Sequence, residues 1–544
     1  MKSNQPKIRL LLVCIVATLF FFCGCEKTEQ PEKIEITVED EAPSEGGTML
    51  MGSMEPKSLN PLITDSKSYM DITKLIFHGL AEYDESLKLQ PVLAEGWSFE
   101  NGSSECIVRL KDNLLWSDGK PITSSDVKYS LDTIKAAGAS LYKSTLEHIY
   151  SYTVLDEKTI SITFDQPFSN AIDMLCFPII PEHIYSRNPD AVPVCSGPYK
   201  ISSYDKLEFM ELERNENWVG LSELQKNNQT KPYIEKIRIK FINDTEAFST
   251  AFQSKELDIL NTLSYDWEKY NELKDVSSYK YVSMYYDFIG LNHNSPVLKD
   301  KAVRKAMMLA INRKALVDKY LLGNAVLTDA PINPKSWLYD GTVTKAGYNI
   351  SDAQSILKSA GFEDVDGDKI LERIVEGTVQ KLNITIITNE ENDFRKNAIE
   401  DIRKNLSDAG FTVHVKLLSF DEMKIALETK QFEAVLTGYN LSPSQDLSFA
   451  FHTSQIEAGK NYYSYSNADM DSILYQTYTS MTDEARKEAY KKLQALFIEE
   501  LPCISLFFRE GAVVTRNKIK GDIKPSTVNP FDSIEKWFIA KNMR

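Results

Sequence analysis

Between Lys381 and Gly438 the apolar residues of this chain change period four times. KLNITIIT alternates as a strand does, and NAIEDIRKNLSDAG carries apolar residues at helical spacing as far as Gly410. FTVHVKLL alternates again. SFDEMKIALETK reads as a helix opened by Ser419, and FEAVLTG as a third strand. Strands alternating with helices of this length imply an α/β class, with parallel strands and right-handed crossovers. In open sheets of this kind ligands bind beyond the carboxyl ends of the strands. That rule selects Thr437, Gly438, Tyr439 and Asn440 as one wall of a binding site.

The rest of the chain is mixed in the same way. Thr48 to Gly52 reads as a strand and Ser68 to Gly79 as a helix, with Ile72, Leu75, Ile76 and Leu80 on one face. Cys106 to Leu110 alternates, Asp118-Gly119 is a turn, and Thr123 with Asp126 is close to a capping box. Asp300 caps a helix with Val303, Ala306, Met307, Ala310 and Ile311 on one face, and Gly323-Asn324 stops it. The 544 residues are enough for two or three domains. A hydrophobic content of 42% suits packed, soluble bodies.

The first residues carry Lys2, Lys7 and Arg9, and an apolar run follows from Leu10 to Cys23. A bilayer span needs about 20 residues, so this shorter run is expected to be a secretory signal segment. It ends at Gly24 with Cys25 next, and EKTEQPEKIEITVEDEAPSE follows. That stretch has almost nothing to bury and reads as a solvated tether. The expected order is a signal at 1–24, an acidic tether at 25–45, then a globular body. Loss of the signal would take the formal charge from -16 to about -19. Such a surface repels phosphate backbones, so nucleic acid is not an expected partner.

No catalytic set emerges. The six histidines (His78, His148, His183, His293, His414, His452) form no HxxxH or HxH pair. No GxSxG, P-loop or GxGxxG occurs, and SxxK at Ser125–Lys128 and Ser140–Lys143 lacks its companion segments. DVDGDKILE lacks the Gly and Glu of a calcium loop and reads as a tight turn. Asp118 and Asp126 already have turn and capping roles. Cys106, Cys176, Cys195 and Cys503 form no CxxC pair. No metal, no cofactor and no enzymatic activity are expected. Aromatic residues such as Trp267, Tyr285, Tyr286, Phe288, Tyr439, Tyr462, Tyr463 and Tyr465 are expected mostly in the core. Those in loops beside strand ends could line a cleft.

The order of segments resembles the family 5 extracellular solute-binding proteins, the oligopeptide-, dipeptide- and nickel-binding components of ABC importers. The residues that carry the resemblance are GGTMLMGSMEPKSLNP, PVLAEGWSFE, RLKDNLLWSDGKPITSSDVKYS, SGPYKI, ELERNENW, KELDIL, LNHNSPVLKDKAVRKAMMLAINR, GFEDVDGD and NADMDSILYQ. The start resembles a bacterial lipoprotein signal, which implies lipidation at Cys25 and an extracytoplasmic protein tethered to a membrane. The resemblance implies a three-lobed, class II periplasmic-binding-protein-like fold with two hinged lobes around a cleft and an inserted third lobe. By analogy lobe I takes 46–77, 196–290 and 503–544, lobe II takes 78–195, and lobe III takes 291–502. Strands near Leu257–Leu263 and Phe288–Asn292 would carry the hinge.

It also implies that Thr437, Gly438 and Tyr439 bond a peptide backbone, and that Ser53, Met54, Glu55, Asn261 and Thr262 face the cleft. Many members place an Asp just before the proline of this loop, to meet the peptide's amino terminus. Here Asn440, Leu441 and Ser442 precede Pro443, and Asp446 is displaced along the chain. The implied partners are a peptide or similar small solute and permease subunits, with the chain a monomer. A secreted hydrolase and a surface sensory or adhesive protein on the same fold are the alternatives.

Overall fold

The computed structural model describes residues 42–63, 67–100, 104–146, 148–165, 171–263, 267–343 and 346–544. The signal segment, Cys25 and the tether up to residue 41 lie outside the described residues. No helix among the described residues is long and apolar enough to cross a membrane.

The expected alternation in the last third is present. Strand Asn383–Asn389 runs parallel to Thr412–Leu418 on one side and to Ala434–Asn440 on the other, with helices Asp393–Asp408 and Phe420–Glu428 between them in sequence. Ser419 opens the second helix with the capping box its sequence promises, since Glu422 reaches back to the Ser419 amide.

These strands belong to a larger sheet. Its order is Ile259–Thr262, Cys503–Arg516, Val276–Leu291, Ala434–Asn440, Asn383–Asn389 and Thr412–Leu418, with Ala325–Leu327 pairing off Cys503–Arg516. Two of its members are unusually long. Val276–Leu291 has 16 residues and Cys503–Arg516 has 14, and they pair antiparallel over most of that length. One end of Cys503–Arg516 pairs with Ile259–Thr262, and the far end of Val276–Leu291 pairs with Ala434–Asn440. The pairing slips between Val282 and Tyr286. There the Ser283 hydroxyl donates to the Arg509 carbonyl at 2.8 Å.

Two four-stranded sheets complete the body. One joins Thr48–Ser53, Lys236–Phe241, Phe209–Arg214 and Tyr199–Asp205, and the other joins Ala94–Glu100, Glu105–Leu110, Thr159–Phe164 and Ile149–Asp156. They share one apolar core that runs from Met49 to Phe241 and takes in Trp537 and Ile539 from the C-terminal end. Separate cores built around Ile384, Ile399 and Leu436 and around Phe288, Tyr463 and Phe497 fill the part after residue 281.

Three expectations need correction. The helix expected from Asp300 to Gly323 is two helices, Lys301–Ala310 and Arg313–Tyr320. Asn312 breaks it, because its side-chain oxygen accepts from Ala315 N at 3.0 Å and opens a second helix. The helix expected to reach Gly79 stops at Ile76, where the Ser196 and Gly197 amides take the Ile76 carbonyl at 3.0 Å each. Gly197 permits this approach, since a Cβ there would lie 2.7 Å from the Leu75 carbonyl oxygen. Lys231 to Ile242, whose alternation predicts one strand, forms only the shorter Lys236–Phe241.

Candidate functional site

A groove runs where the separate parts of the chain meet. Its central chamber, about 530 Å³, is bounded by Met70 and Lys74, by Glu82, Tyr83 and Asp173, by Asn440 to Pro443, and by Thr527 to Asn529 with Asp532. A second chamber of about 640 Å³ lies beside it, lined by Met54, Asp71, Asn261, Thr262, Tyr270 and Phe531. Met70 and Asp532 face the first chamber, while their chain neighbours Asp71 and Phe531 face the second. Helix Lys67–Ile76 and the turn at 531–532 therefore partition the groove. A third chamber of about 500 Å³ follows Tyr279 to Val282 and shares Thr527 with the first.

The wall selected from topology lies where the parallel ladder runs out. Asn383–Asn389 pairs with Ala434 and Val435 only, and the Thr388 hydroxyl donates to the Leu436 carbonyl at 2.8 Å. Residues 437–440 then continue paired to Val276–Leu291, with Thr437 opposite Phe288 and Asn440 opposite Tyr285. Thr437 is buried and Asn440 is exposed to the central chamber. The Tyr439 ring packs inward against Phe288 and Phe449, and its hydroxyl bonds the Tyr463 hydroxyl at 2.8 Å. Its side chain thus anchors the wall, leaving backbone as what this residue can offer a ligand. Gly438 is required by crowding, since a Cβ there would sit 2.5 Å from Arg395 Nη2 and 2.8 Å from the Tyr286 carbonyl oxygen.

Of the other residues the resemblance named, Met54, Asn261 and Thr262 come together in the second chamber. Ser53 is buried, with its hydroxyl on the Met54 carbonyl at 2.9 Å. The Glu55 amide leans on Asn243 at 3.4 Å. Asp446 accepts from the Ser448 amide at 2.8 Å and so closes a local turn.

The carboxylates of this region fall into two kinds. Asp287, buried in the long strand behind Gly438, takes Arg509 Nε at 2.6 Å and Arg395 Nη2 at 2.9 Å. Burial opposes its ionisation, but the two guanidinium groups outweigh it and hold Asp287 below the usual carboxylate range. Glu82 is treated similarly. Trp218 Nε1 donates to His78 Nε2 at 2.8 Å, which leaves His78 Nδ1 to meet Glu82 at 2.8 Å. Against burial, His78 and the Gly79 amide bring Glu82 down to about 2. Asp173 pairs with Arg486 at 3.3 Å and accepts from the Tyr83 hydroxyl at 2.5 Å, which ties one rim of the groove to the other. Lys88 with Asp483 at 2.5 Å and the Trp337 amide with the Ser86 carbonyl at 2.8 Å repeat that tie.

Asp71 and Asp532 are of the second kind. Burial raises each to about 6, and no ion pair reaches either among the described residues. Neither is signalled by local pattern: Asp71 flanks an apolar helix face and Asp532 lies in the aperiodic stretch NPFDSIEKW. The only cluster with metal-ligand spacing found among the described residues is Asp364, Asp366 and Asp368, which is exposed and bonded to Lys381, as the tight-turn reading expects.

Comparison with known proteins gives a consistent result. The sequence model of the bacterial extracellular solute-binding proteins, family 5 middle, matches residues 88–485. The oligopeptide-binding protein AppA of Bacillus subtilis (strain 168) is 26% identical over 567 residues, spanning 99% of this chain and all of that protein. The structure of AppA from Bacillus subtilis in complex with a nonapeptide superposes with a TM-score of 0.63 at 25% identity, covering 92% of this chain and 100% of that one. The periplasmic murein tripeptide-binding protein MppA, in its unliganded open form, shares the fold with a TM-score of 0.77 at 16% identity, covering 92% of this chain and 98% of that one. The fold is the three-lobed α/β arrangement of periplasmic binding proteins.

Proposed function

Because the family model spans residues 88–485, the chain belongs to the bacterial extracellular solute-binding proteins of family 5, non-enzymatic components of transport, and from that premise we propose that it captures peptides in the groove and hands them to an ABC permease. The observation that carries this reading is the central chamber. Its walls come from residues 70–92, 142, 173–177, 284, 440–443 and 527–532, so a solute inside touches distant parts of the chain at once. Closing the groove adds contacts, and that difference between open and shut states favours closure around the solute. A micromolar affinity is about 8 kcal/mol, enough to shift an equilibrium of a few.

In this reading the lobes are 46–77 with 196–290 and 503–544, then 78–195, then 291–502. Ligand backbone bonds to the main chain at Thr437, Gly438 and Tyr439, near Asn440. Met54, Asn261 and Thr262 contribute from the facing lobe, Ser53 and Glu55 hold the Met54 loop in place, and Asp446 braces the loop opposite. Strands near Leu257–Leu263 and Phe288–Asn292 carry the hinge, the latter at the end of the long strand Val276–Leu291, whose pairing slips in register between Val282 and Tyr286. The Bacillus subtilis relative is an oligopeptide-binding protein solved with a nonapeptide, which supports peptide as the solute class. Residues 1–24 direct export, Cys25 carries the lipid, and the acidic tether lets a monomeric body work near the membrane face.

Thermal unfolding with pooled peptides tests the reading, because a ligand of the folded state at a hundred times its Kd adds about 2.7 kcal/mol. An unmoved melting temperature with every pool would contradict it. Mass spectrometry of the membrane-bound protein tests the anchor: an acylated Cys25 as first residue is expected, and an intact residue 1 would contradict it.

A further inference from the structure

We propose that the groove selects solutes carrying a positive charge, an ammonium or a guanidinium, and that Asp532 and Asp71 are the groups that pair with it. This rests on the solute-binding reading above and names the class of solute.

The central chamber carries an imbalance. Four carboxylates line it, from Glu82, Asp84, Asp173 and Asp532, against one cation, Lys74, among the described residues. Three of the four already have partners. Glu82 meets His78, and Asp173 meets Arg486. Asp84 accepts the Ser86 and Lys88 amides at 2.9 and 3.0 Å and so closes its own turn. Asp532 has one hydrogen bond favouring its charged form, from the Ser533 amide; Lys536 and Lys524 act on it without forming an ion pair, and Glu535 and Glu85 add negative charge around it.

Asp71, one chamber away, is held rather than neutralised. The Tyr281 hydroxyl donates to Asn261 Oδ1 at 2.8 Å. That fixes the amide so that Asn261 Nδ2 donates to Asp71 Oδ2 at 3.1 Å. Asp71 is left half-buried in the chamber wall; Lys74, one helical turn along, favours its charge from a distance but makes no ion pair with it. A half-buried carboxylate without an ion-pair partner is costly, and a cation in contact recovers part of that cost. A solute's cation can make that contact. A peptide's amino terminus and a lysine or arginine side chain both supply the chemistry. Anionic solutes meet repulsion inside the chambers and from the net charge of -16 outside.

The test is calorimetric titration of the mature chain with pentapeptides of lysine and alanine, with the same peptides N-acetylated, and with alanine and glutamate counterparts. Lysine peptides are expected to bind at least about tenfold more tightly than alanine ones, and glutamate peptides more weakly still. Asp532→Asn is expected to remove about tenfold from the lysine peptides and to leave alanine peptides within about twofold, with Asp71→Asn acting in the same direction. A lysine preference that survives acetylation assigns the pairing to the side chain; a loss on acetylation shared by lysine and alanine peptides, with Asp532→Asn then weakening both, assigns it to the amino terminus. If a variant fails to fold, the wild type decides alone: raised ionic strength should weaken lysine peptides selectively. Equal affinities for all peptides, unmoved by Asp532→Asn and by salt, would overturn the charge selection and leave the solute-binding reading standing. Failure of every peptide to bind would overturn both.

Discussion

Asp287 and Asp532 are both carboxylates set within the protein, and they are treated in opposite ways. Asp287 receives two arginines and lies below the usual range. Asp532 receives none and is lifted to about 6, and Asp71 resembles it. The first arrangement is complete in itself, so its job is to fix the long strand behind Gly438. The second is complete only with a charge from outside. Partnering, rather than burial, separates structural from ligand-facing charge in this groove.

The largest effect should come from breaking the complete arrangement. Asp287→Ala strands Arg395 and Arg509 and is expected to cost about 3–5 kcal/mol in denaturant unfolding. Solute preference in the surviving folded protein should be unchanged, since neither arginine lines the three chambers. Gly438→Ala comes next. Its Cβ would press on Arg395 and the Tyr286 carbonyl, and overpacking of this kind costs about 1–3 kcal/mol.

The open arrangement should respond with opposite sign. The folded pKa of about 6 at Asp71 and Asp532 exceeds the unfolded value of about 3.9. The folded chain thus binds more protons between those values, and these groups stabilise the empty protein as pH falls from 6 toward 4. Asp287, depressed in the fold, contributes stability above about pH 4 that is lost as acid takes its charge. The charges around Asp532 are Glu535, Glu85, Lys536 and Lys524, with Lys74, Glu82, Asp84 and Asp173 across the chamber, and the groups around Asp71 are Asn261, Tyr281 and Lys74. Thermal melts across that window should rise less steeply with acid for Asp532→Asn than for wild type, and the variant should be no less stable at pH 7. The smallest effect is expected from Tyr281→Phe. Losing one hydrogen bond of the relay costs about 0.5–1.5 kcal/mol and weakens cationic solutes through a less fixed Asp71.

Much of the fold was legible because its signals are local. The alternation from Lys381 to Gly438, the Ser419 cap and the stop at Gly410 depend on neighbours a few residues apart. The break at Asn312 was less visible, because the apolar stripe continues to Ile311 and only a cap inside the pattern interrupts it. Asn440 was reachable by the rule on strand ends, and the structure sets it in the central chamber. The inward packing of Tyr439 depends on Tyr463, 24 residues on, and could not be read locally. Asp71 and Asp532 stand 461 positions apart in the chain. Their lack of a partner is a fact of three-dimensional arrangement, and no spacing encodes it.

The most direct measurement is mass spectrometry of the protein purified from its own cells, first intact and then after denaturing extraction. A stoichiometric, chemically unchanged solute with a basic group, released only on unfolding, is the expected result. Empty protein after exposure to a peptide mixture, a trapped solute that is purely anionic, or cleaved products would contradict it.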